Sequence, residues 1–264
     1  MFPIRDHNPS SRTPWVTWAL IAVNIVVFAL YVPLLEDQRA LAALFSTWGL
    51  VPGRVASGGS PLPLVTSMFL HGGFLHLAGN MLFLWIFGDN LEDMMGKIGF
   101  LFFYLASGIG AAALHIAQSP WSAVPMVGAS GAIAGVMGGY LLLFPRARVD
   151  MLLFLVIYFR VFTVPAWAML GVWFAIQLFG AAGADPNAGG VAYLAHAGGF
   201  VVGLVLTVPV WLRRGGPAFW RATHGVPPHP EAEYTTNSPY GIPKLARGER
   251  RSPIPRVGRQ RGDD

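Results

Sequence analysis

Long runs without Asp, Glu, Lys or Arg recur along this sequence, and the first extends over residues 13–35. Several are near or above the ~20 apolar residues that an α-helix needs to cross a bilayer. Only 12% of the 264 residues are charged and 54% are hydrophobic, whereas about 25% of residues in soluble domains are charged. The sequence therefore predicts an integral membrane protein. The first run is too long for the core of a signal peptide, so we expect it to stay as a membrane helix.

Six of these runs are candidate transmembrane helices. They cover residues 13–35, 63–88, 98–117, 130–144, 165–182 and 188–212. A further apolar piece, residues 151–159, lies between Asp150 and Arg160. It is too short to span, so we expect it to re-enter the membrane or to lie at its surface. The sequence thus predicts an all-α polytopic membrane protein, a bundle of six transmembrane helices with a re-entrant segment before the fifth.

Basic residues are distributed unevenly between the loops that these helices would leave. With six spans, both termini lie on one side, and the predicted loops of the opposite side carry only Arg39 and Arg54. The side of the termini carries the rest, namely Arg5, Arg12, Lys97, Arg146, Arg148, Arg160 and ten Lys or Arg residues after Leu212. Because loops rich in Lys and Arg stay in the cytoplasm, we expect both termini to be cytoplasmic and the protein to lie in the cell membrane, plasma or inner.

The chain divides by composition into three parts. Residues 1–12 form a short cytoplasmic segment, residues 13–212 the transmembrane domain, and residues 213–264 a basic tail with eight prolines. The tail has little apolar periodicity, so we expect it to be disordered. Attraction of its arginines to anionic lipid is an alternative role, but we expect no nucleic-acid binding because no folded basic face accompanies the tail. The absence of cysteine excludes disulfides, thiolate metal ligands and a cysteine nucleophile.

Several polar side chains fall inside the predicted spans, where they are costly unless they are paired or line a cavity. His76 and Asn80 are four residues apart, so they lie on one face of a helix and present donors toward one point. The other polar residues have no such companion, and we expect them to form hydrogen bonds between helices. These are Asn24, His115 and Gln177.

Ser130 and His196 are the most informative polar residues because of their depth. Ser130 follows the small-residue pair Gly128-Ala129 at the start of a helix, where a serine usually caps the helix. Counting at ~1.5 Å per residue from the expected cytoplasmic end of each helix, marked by Pro145, Arg213 and Asp89, puts Ser130 roughly 22 Å, His196 roughly 25 Å and His76 roughly 20 Å from that end. The hydrocarbon core is ~30 Å thick. All three side chains then share a level inside it, and we expect a cavity there rather than a simple helix cap.

Small residues provide a way to bring Ser130 and His196 together. Gly199 and Gly203 have the GxxxG spacing that allows two helix backbones to approach closely, and they share a helix face with His196. The partner helix presents a narrow face of small residues, formed by Ser130, Ala134 and Gly138. The glycines that we expect to support the site structurally are Gly128, Gly131, Gly199 and Gly203.

A serine beside a histidine in a cavity suits nucleophilic catalysis. A serine hydroxyl is a poor nucleophile by itself, and a neutral imidazole is a suitable base for it. Acyl transfer also needs donors for the oxyanion, which His76, Asn80 and the backbone N–H of Ser130 are placed to supply. No Asp or Glu lies in the middle of a predicted span, so we predict a Ser130–His196 dyad rather than a triad.

The segments that carry these residues resemble the rhomboid intramembrane serine proteases. The matching stretches, in the family's order and on its second, fourth and sixth helices, are HGGFLHLAGN at residues 71–80, GASG at 128–131 and AHAGG at 195–199. Glu92, Gly96 and the Pro165-Ala-Trp167 start of the fifth helix also match. The resemblance covers residues 13–212, and it is specific because the three motifs occur together.

The resemblance implies a serine endopeptidase, without metal or cofactor, that hydrolyses peptide bonds in or near transmembrane segments of other membrane proteins. It assigns Ser130 as the nucleophile and His196 as the general base, with substrates that enter from the bilayer past the fifth helix. The oxyanion hole is assigned to His76, Asn80 and the Ser130 amide. Ala134 departs from the pattern, because some members have a tyrosine there, under the histidine. The orientation of His196 must then depend on other packing.

Two other functions stay open on the sequence. A catalytically inactive relative that binds membrane helices would keep the fold, although such relatives usually lack the serine or the histidine. A metal-dependent membrane enzyme or transporter would use imidazoles as ligands, and the candidates are His71, His76, His115 and His196. His71 precedes His76 by five residues, so we expect it to point elsewhere, near the outer mouth of the helix.

Overall fold

The computed structural model describes residues 2–155, 158–183, 189–232, 234–235 and 244–245. The chain divides into two units, residues 1–231 and residues 232–264. In the second unit, the described part is a two-stranded antiparallel ladder between Tyr234–Thr235 and Lys244–Leu245. The first unit is largely helical and contains every residue that the sequence assigns to the site.

The apolar runs of the first unit form helices. In chain order these are α1 (Trp15–Tyr31), α2 (Gln38–Trp48), α3 (Pro52–Ala56), α4 (Pro63–Thr66), α5 (Phe74–Met95), α6 (Lys97–Gln118), α7 (Ser130–Leu143), α8 (Ala166–Gly183), α9 (Tyr193–Arg213) and α10 (Pro217–Thr223). Short 3₁₀ turns, Val32–Glu36 and Ser67–Phe69, follow α1 and α4.

Most of these helices have the composition of membrane spans. Among the described residues, four are long and apolar enough to cross a bilayer, namely α1 with its 3₁₀ turn, α6, α8 and α9. α4 and α5 together make a fifth candidate, whereas α7 is apolar but only 14 residues long. The helical, multi-span architecture is therefore the one that the sequence predicts, and the count of six spans stays a prediction.

α5 differs from the predicted second span, which we placed at residues 63–88. A bend of 97° separates α4 and its 3₁₀ turn from α5, and the break contains Gly72 and Gly73. Glycine loses more conformational freedom in a helix than other residues do, so helices break at such pairs. His71 lies in this break, shortly before the start of α5 at Phe74. Its side chain is fully buried, and the Tyr31 hydroxyl bonds to both its backbone N–H and its C=O.

α7 and α9 pack with their backbones in contact. A Cβ atom added to Gly199 would lie 2.1 Å from the carbonyl oxygen of Gly131, and one added to Gly203 would lie 2.1 Å from that of Gly135. Only glycine fits at such distances, which is why the GxxxG spacing allows this approach. On α9 the contact face is the predicted one. On α7 it includes the predicted Gly138, whose added Cβ would lie 2.1 Å from the carbonyl oxygen of Phe200. Its other members, Gly131 and Gly135, lie one residue beyond the predicted Ser130 and Ala134.

A small antiparallel sheet contains the apolar piece before the fifth predicted span. β1 (Phe2–Asp6), β2 (Arg148–Leu155) and β3 (Tyr158–Pro165) lie in that order in the sheet, and residues 156–157 lie outside the described residues. The register pairs Val149 with Val164. β3 contains valine, phenylalanine and threonine, which favour strands over helices. The all-α prediction did not include this sheet, because it gave weight to hydropathy and none to β propensity. That the apolar piece re-enters the membrane or lies at its surface stays a prediction.

The sheet attaches residues 2–12 to the helices, at the end of α7 opposite to Ser130. The carboxylate of Asp6 accepts hydrogen bonds from Asn90 on α5, at 2.7 Å, and from the Tyr140 hydroxyl on α7, at 2.9 Å. Burial, together with the nearby charge of Asp89, raises the pKa of Asp6 to about 8. The N-terminal segment is thus anchored in the bundle rather than free.

A second carboxylate holds the sheet together. Burial by itself would raise the pKa of Asp150, but hydrogen bonds from His7, Thr163 and Arg5 outweigh it, and the pKa lies below the usual value. The distances are 2.7 Å to His7 Nε2, 2.6 Å to the Thr163 hydroxyl and 2.8 Å to Arg5 Nε. All three strands contribute to this network.

The first part of the expected tail is folded onto the bundle. In α10, Phe219 is buried against Phe144, and Trp220 Nε1 donates to the carbonyl of Leu142 at 2.9 Å. Asn8 donates to the carbonyl of His229. The prediction of disorder from residue 213 is therefore wrong as far as residue 231, because the apolar pair Phe219-Trp220 was given too little weight. Beyond residue 232, apart from the four residues of the ladder, the predicted tail lies outside the described residues.

Candidate active site

Ser130 is the first residue of α7, and its hydroxyl does not cap the helix. The N-cap position is occupied by Ala129, with no side-chain hydrogen bond to the helix. The Ser130 hydroxyl instead lies 2.7 Å from Nε2 of His196. The backbone N–H groups of a first helical turn have no acceptor within the helix, and the N–H of Ser130 is one of them.

His196 lies in the first turn of α9 and reaches Ser130 across the α7–α9 contact. The two residues are 66 positions apart in sequence. The backbone contact between Gly199 and Gly131 lies one turn away from His196 and immediately after Ser130, so it fixes the separation of the two helix ends. A hydroxyl at hydrogen-bond distance from an imidazole nitrogen is the arrangement in which the base can take the proton of a nucleophile.

His76 reaches this pair from α5. The backbone N–H of Gly72 donates to His76 Nδ1 at 3.2 Å, so the proton of the neutral ring is on Nε2. A Cβ atom added to Gly128 would lie 2.8 Å from His76 Nε2 and 3.5 Å from Ser130 Oγ. The donor of His76 and the hydroxyl of Ser130 therefore converge above the backbone of Gly128.

Asn80 lies one turn after His76 on α5. One N–H of its side-chain amide donates to the carbonyl of His76 at 3.0 Å. The amide has a second N–H, and Asn80 lines the same cavity as Ser130 and His196. The structure thus brings together the four side chains that the sequence singled out.

The cavity between these side chains has a volume of about 630 Å³. Its walls come from α5, α6, α7, α8 and α9 and from the chain before α7, including Val127 and Gly128. Backbone without regular structure is tolerated at membrane depth only where protein buries it or water reaches it. A cavity of this size satisfies that condition and leaves room for an extended peptide segment.

Gln177 is the contact that the sequence analysis missed. Its Oε1 lies 2.9 Å from Nδ1 of His196, and it is buried on α8. We expected Gln177 to bond between helices but did not connect it to the site, because its companion is on another helix. The sequence feature that could have pointed to it is Ala134, where some family members have a tyrosine. Without that tyrosine, His196 needs another contact to orient it.

The other polar residues of the predicted spans make contacts outside the Ser130–His196 pair. Asn24 donates to the carbonyl of Leu20 in its own helix, so the expectation of an interhelical bond is wrong for it. His115 lines the cavity, and its Nδ1 has no hydrogen-bond partner within the described chain. The ring of His71 packs edge-on against that of His76, with centroids 5.1 Å apart. Across the described ranges, no group of three or more His, Asp or Glu side chains is arranged to hold a metal ion.

Comparisons with known proteins identify relatives of this chain. Residues 59–213 match the family model of the rhomboid domain. The chain is 32% identical over 194 residues to Rhomboid protein 1, mitochondrial, of Saccharomyces cerevisiae. This alignment covers 72% of this chain and 51% of the yeast protein. It is 29% identical over 243 residues to RHOMBOID-like protein 5 of Arabidopsis thaliana, 80% and 74% of the two chains.

A bacterial relative shares a shorter segment. Rhomboid protease GluP of Bacillus subtilis is 34% identical over 128 residues, which is 48% of this chain and 24% of that protein. The match therefore spans about half of the yeast relative and a quarter of the Bacillus one. Because the rhomboid model matches more than half of the chain and includes all four site residues, this multi-pass membrane protein belongs to the rhomboid family.

Proposed function

We propose that this protein is an intramembrane serine endopeptidase that hydrolyses peptide bonds in or near transmembrane segments of other membrane proteins. The observation that supports this most strongly is the 2.7 Å hydrogen bond between Ser130 and His196 in a cavity surrounded by membrane helices. His76 adds a donor at the same point. Inactive relatives would not need to keep all of these groups in contact.

In the acylation step, Ser130 Oγ attacks the carbonyl carbon of the substrate while its proton moves to His196 Nε2. The oxygen of the tetrahedral intermediate faces the Nε2–H of His76, the second amide N–H of Asn80 and the backbone N–H of Ser130. When the C–N bond breaks, His196 returns the proton to the leaving amine. The acyl group stays on Ser130 as an ester.

In the deacylation step, a water molecule replaces the amine. His196 takes a proton from the water as its oxygen attacks the ester carbon, and the same three donors stabilise the second oxyanion. Collapse of this intermediate returns the proton to Ser130 and releases a carboxylic acid. The cycle consumes one water molecule and needs no cofactor.

Substrates of this enzyme would be transmembrane proteins that reach the cavity from the bilayer past α8. Three α8 residues, Trp173, Gln177 and Ala181, line the cavity. Large apolar side chains of α8 such as Val172 and Phe179 are exposed on the outer surface of the helix. α8 is thus the wall between the bilayer and Ser130. A peptide bond must leave its helix before attack, so residues that destabilise helices should favour cleavage.

We also propose that both termini face the cytoplasm and that the protein lies in the cell membrane. The uneven distribution of Lys and Arg between loops supports the orientation. The yeast relative is mitochondrial by name, so a mitochondrial membrane is the alternative. The chain has no cysteine, so a Ser57→Cys variant should react with an impermeant maleimide from outside and a Ser11→Cys variant only after permeabilisation; the reverse pattern would overturn the orientation.

A fluorophosphonate probe tests the proposed chemistry directly. The purified protein in detergent or bilayer should become labelled, and mass spectrometry of peptides should locate the adduct on Ser130. A Ser122→Ala variant is the control, because the Ser122 hydroxyl accepts from the N–H of Val124 in the loop before α7 and should not affect labelling. A protein that binds transmembrane peptides but is never labelled would instead be an inactive helix-binding member, and loss of cleavage on chelation would favour a metal enzyme.

A further inference from the structure

We infer that Gln177 is the positioning residue of the dyad: its side-chain amide holds His196 in the tautomer that can accept the Ser130 proton, and it thereby links the base to α8. The catalytic effect of this contact rests on the proposed function, whereas the tautomer rests on hydrogen-bond geometry alone.

The orientation of the Gln177 amide is determined by its own helix. Nε2 of Gln177 donates to the carbonyl of Trp173, four residues earlier, at 3.2 Å. The opposite orientation would place the amide oxygen against that carbonyl oxygen, which is repulsive. Oε1 of Gln177 therefore faces His196 Nδ1, at 2.9 Å.

An acceptor facing Nδ1 determines where the imidazole carries its proton. A neutral histidine has one N–H and one lone pair on its ring nitrogens. Since Gln177 Oε1 can only accept, the N–H must be on Nδ1, and the lone pair of Nε2 then faces the Ser130 hydroxyl at 2.7 Å. In the other tautomer Nε2 would carry the proton and could not accept the proton of Ser130, so a ring in that tautomer could not act as the base.

The amide is a suitable partner for a base inside a membrane. An ionised carboxylate is costly to bury in a bilayer unless it is paired, and within the described chain no Asp or Glu contacts His196. A neutral amide needs no counter-ion, and its oxygen stabilises the imidazolium when it forms. Ala134, at 1% exposure and with only a methyl group, offers no such contact.

α8 contributes two contacts to His196. The Trp173 ring lies beside the His196 ring, with centroids 6.1 Å apart, and Gln177 lies one turn further along the helix. An outward movement of α8 that admits a substrate would remove the acceptor from Nδ1. The base is therefore correctly oriented only while this part of α8 is packed against α9.

Substitutions at Gln177 test the inference. Gln177→Leu keeps the approximate volume but removes the acceptor, and should lower kcat by about 10-fold to 100-fold with little change in KM. Gln177→Glu keeps an acceptor and should retain most of the activity. The control is Asn24→Leu, because the Asn24 amide also donates to a carbonyl four residues earlier on a buried helix face but does not line the cavity.

Two readouts separate positioning from a merely structural role. The acid limb of the pH–rate profile should move to higher pH in Gln177→Glu, which stabilises the imidazolium, and to lower pH in Gln177→Leu. His76, His115 and Tyr193, the other titratable side chains that line the cavity, are unchanged in both variants. ¹⁵N NMR of histidine-labelled protein should show the Nδ1–H form of His196 in wild type and a loss of that form in Gln177→Leu.

Unchanged kcat and an unchanged ¹⁵N signature in Gln177→Leu would overturn the inference. A variant that has lost activity but keeps the Nδ1–H signature would also overturn it, since another contact would then orient the ring. The NMR measurement does not require protease activity. A wild-type protein that shows the Nδ1–H form but cleaves no substrate would therefore contradict the proposed function and leave the positioning role supported.

Discussion

The geometry of the site depends on Gly128, a residue that has no side chain. Its φ of +130° lies in a region that other residues rarely adopt, and a Cβ atom there would lie 2.8 Å from His76 Nε2. Backbone in such a region costs about 1–3 kcal/mol for a residue other than glycine. The residue that allows the site to form is therefore not one that reacts.

We predict that Gly128→Ala lowers kcat/KM by at least ~10²-fold, the magnitude expected for loss of one oxyanion donor. The methyl group would displace the His76 ring from Ser130. Gly58→Ala is the matched control, because Gly58 also has a positive φ, of +82°, but no atom lies within 4 Å of its added Cβ. Cleavage assays should show near-normal activity for Gly58→Ala. Equal losses in the two variants would mean that backbone strain, and not the position of His76, is responsible.

The sequence predicted Ser130, His196, His76 and Asn80 because each belongs to a local motif. A serine at a helix start and two polar residues four apart can be recognised within ten positions of the chain. Gln177 could not be found in this way, since its partner is 19 residues away on another helix. Whether it meets His196 depends on how α8 packs against α9, which no local pattern encodes.

At the scale of elements, the backbone contact between α7 and α9 sets the distance between Ser130 and His196. We predict that Gly203→Ala lowers activity by ~10²-fold, because its methyl group would lie 2.1 Å from the carbonyl oxygen of Gly135, and a misplacement of ~1 Å at an active site can cost this much. Thermal stability should fall as well, since overpacking costs ~1–3 kcal/mol.

The control for Gly203→Ala is Gly171→Ala on α8, where an added Cβ has no atom within 4 Å. Cleavage rates and thermal unfolding of both variants should be compared in the same detergent. Normal activity of Gly203→Ala would show that the separation of α7 and α9 does not limit the dyad.

The attachment of β1 should depend on pH through Asp6. Its pKa is about 8 in the folded protein against 3.8 for a free side chain, so the folded state keeps a proton that the detached segment has lost. The contribution to stability is therefore full below pH ~4 and is lost progressively as the pH rises toward and through 8. We predict that β1 detaches more readily at pH 9 than at pH 6.

Limited proteolysis at Arg5 and Arg12 measures this attachment. The Asp6→Asn variant is the reference, because its amide oxygen can still accept from Asn90 and Tyr140 but does not titrate in this range. The cleavage rate of wild type relative to Asp6→Asn should rise between pH 6 and pH 9. A constant ratio would contradict the role given to Asp6.

Elements were predictable where hydropathy alone determines them. The runs that became α1, α6, α7, α8 and α9 were placed within a few residues, except that α9 starts at Tyr193, five residues after the predicted start. The sheet was missed because β1 pairs with β2 across more than 140 positions of sequence, a contact that a short apolar piece does not reveal. The break before α5 was missed because two glycines interrupt an otherwise continuous apolar run.

At the scale of the whole molecule, the two ends of the first unit differ in structure. One end carries the cavity, with Ser130 at the start of α7. The other carries the sheet, the Asp6 and Asp150 contacts and α10. The closely packed α7–α9 pair connects them. Hydropathy predicted the helical bundle between these ends, but the sheet and α10 depend on tertiary contacts that composition does not describe.

Ser130, as the proposed nucleophile, is the residue on which the proposed protease activity depends most. The direct test is cleavage of a reconstituted transmembrane substrate by wild type and by Ser130→Ala in the same liposomes, with mass spectrometry to locate the cut. We predict cleavage in or near the transmembrane segment by wild type, and none above background by a Ser130→Ala protein that unfolds at the same temperature. Cleavage at an equal rate by Ser130→Ala would contradict the account.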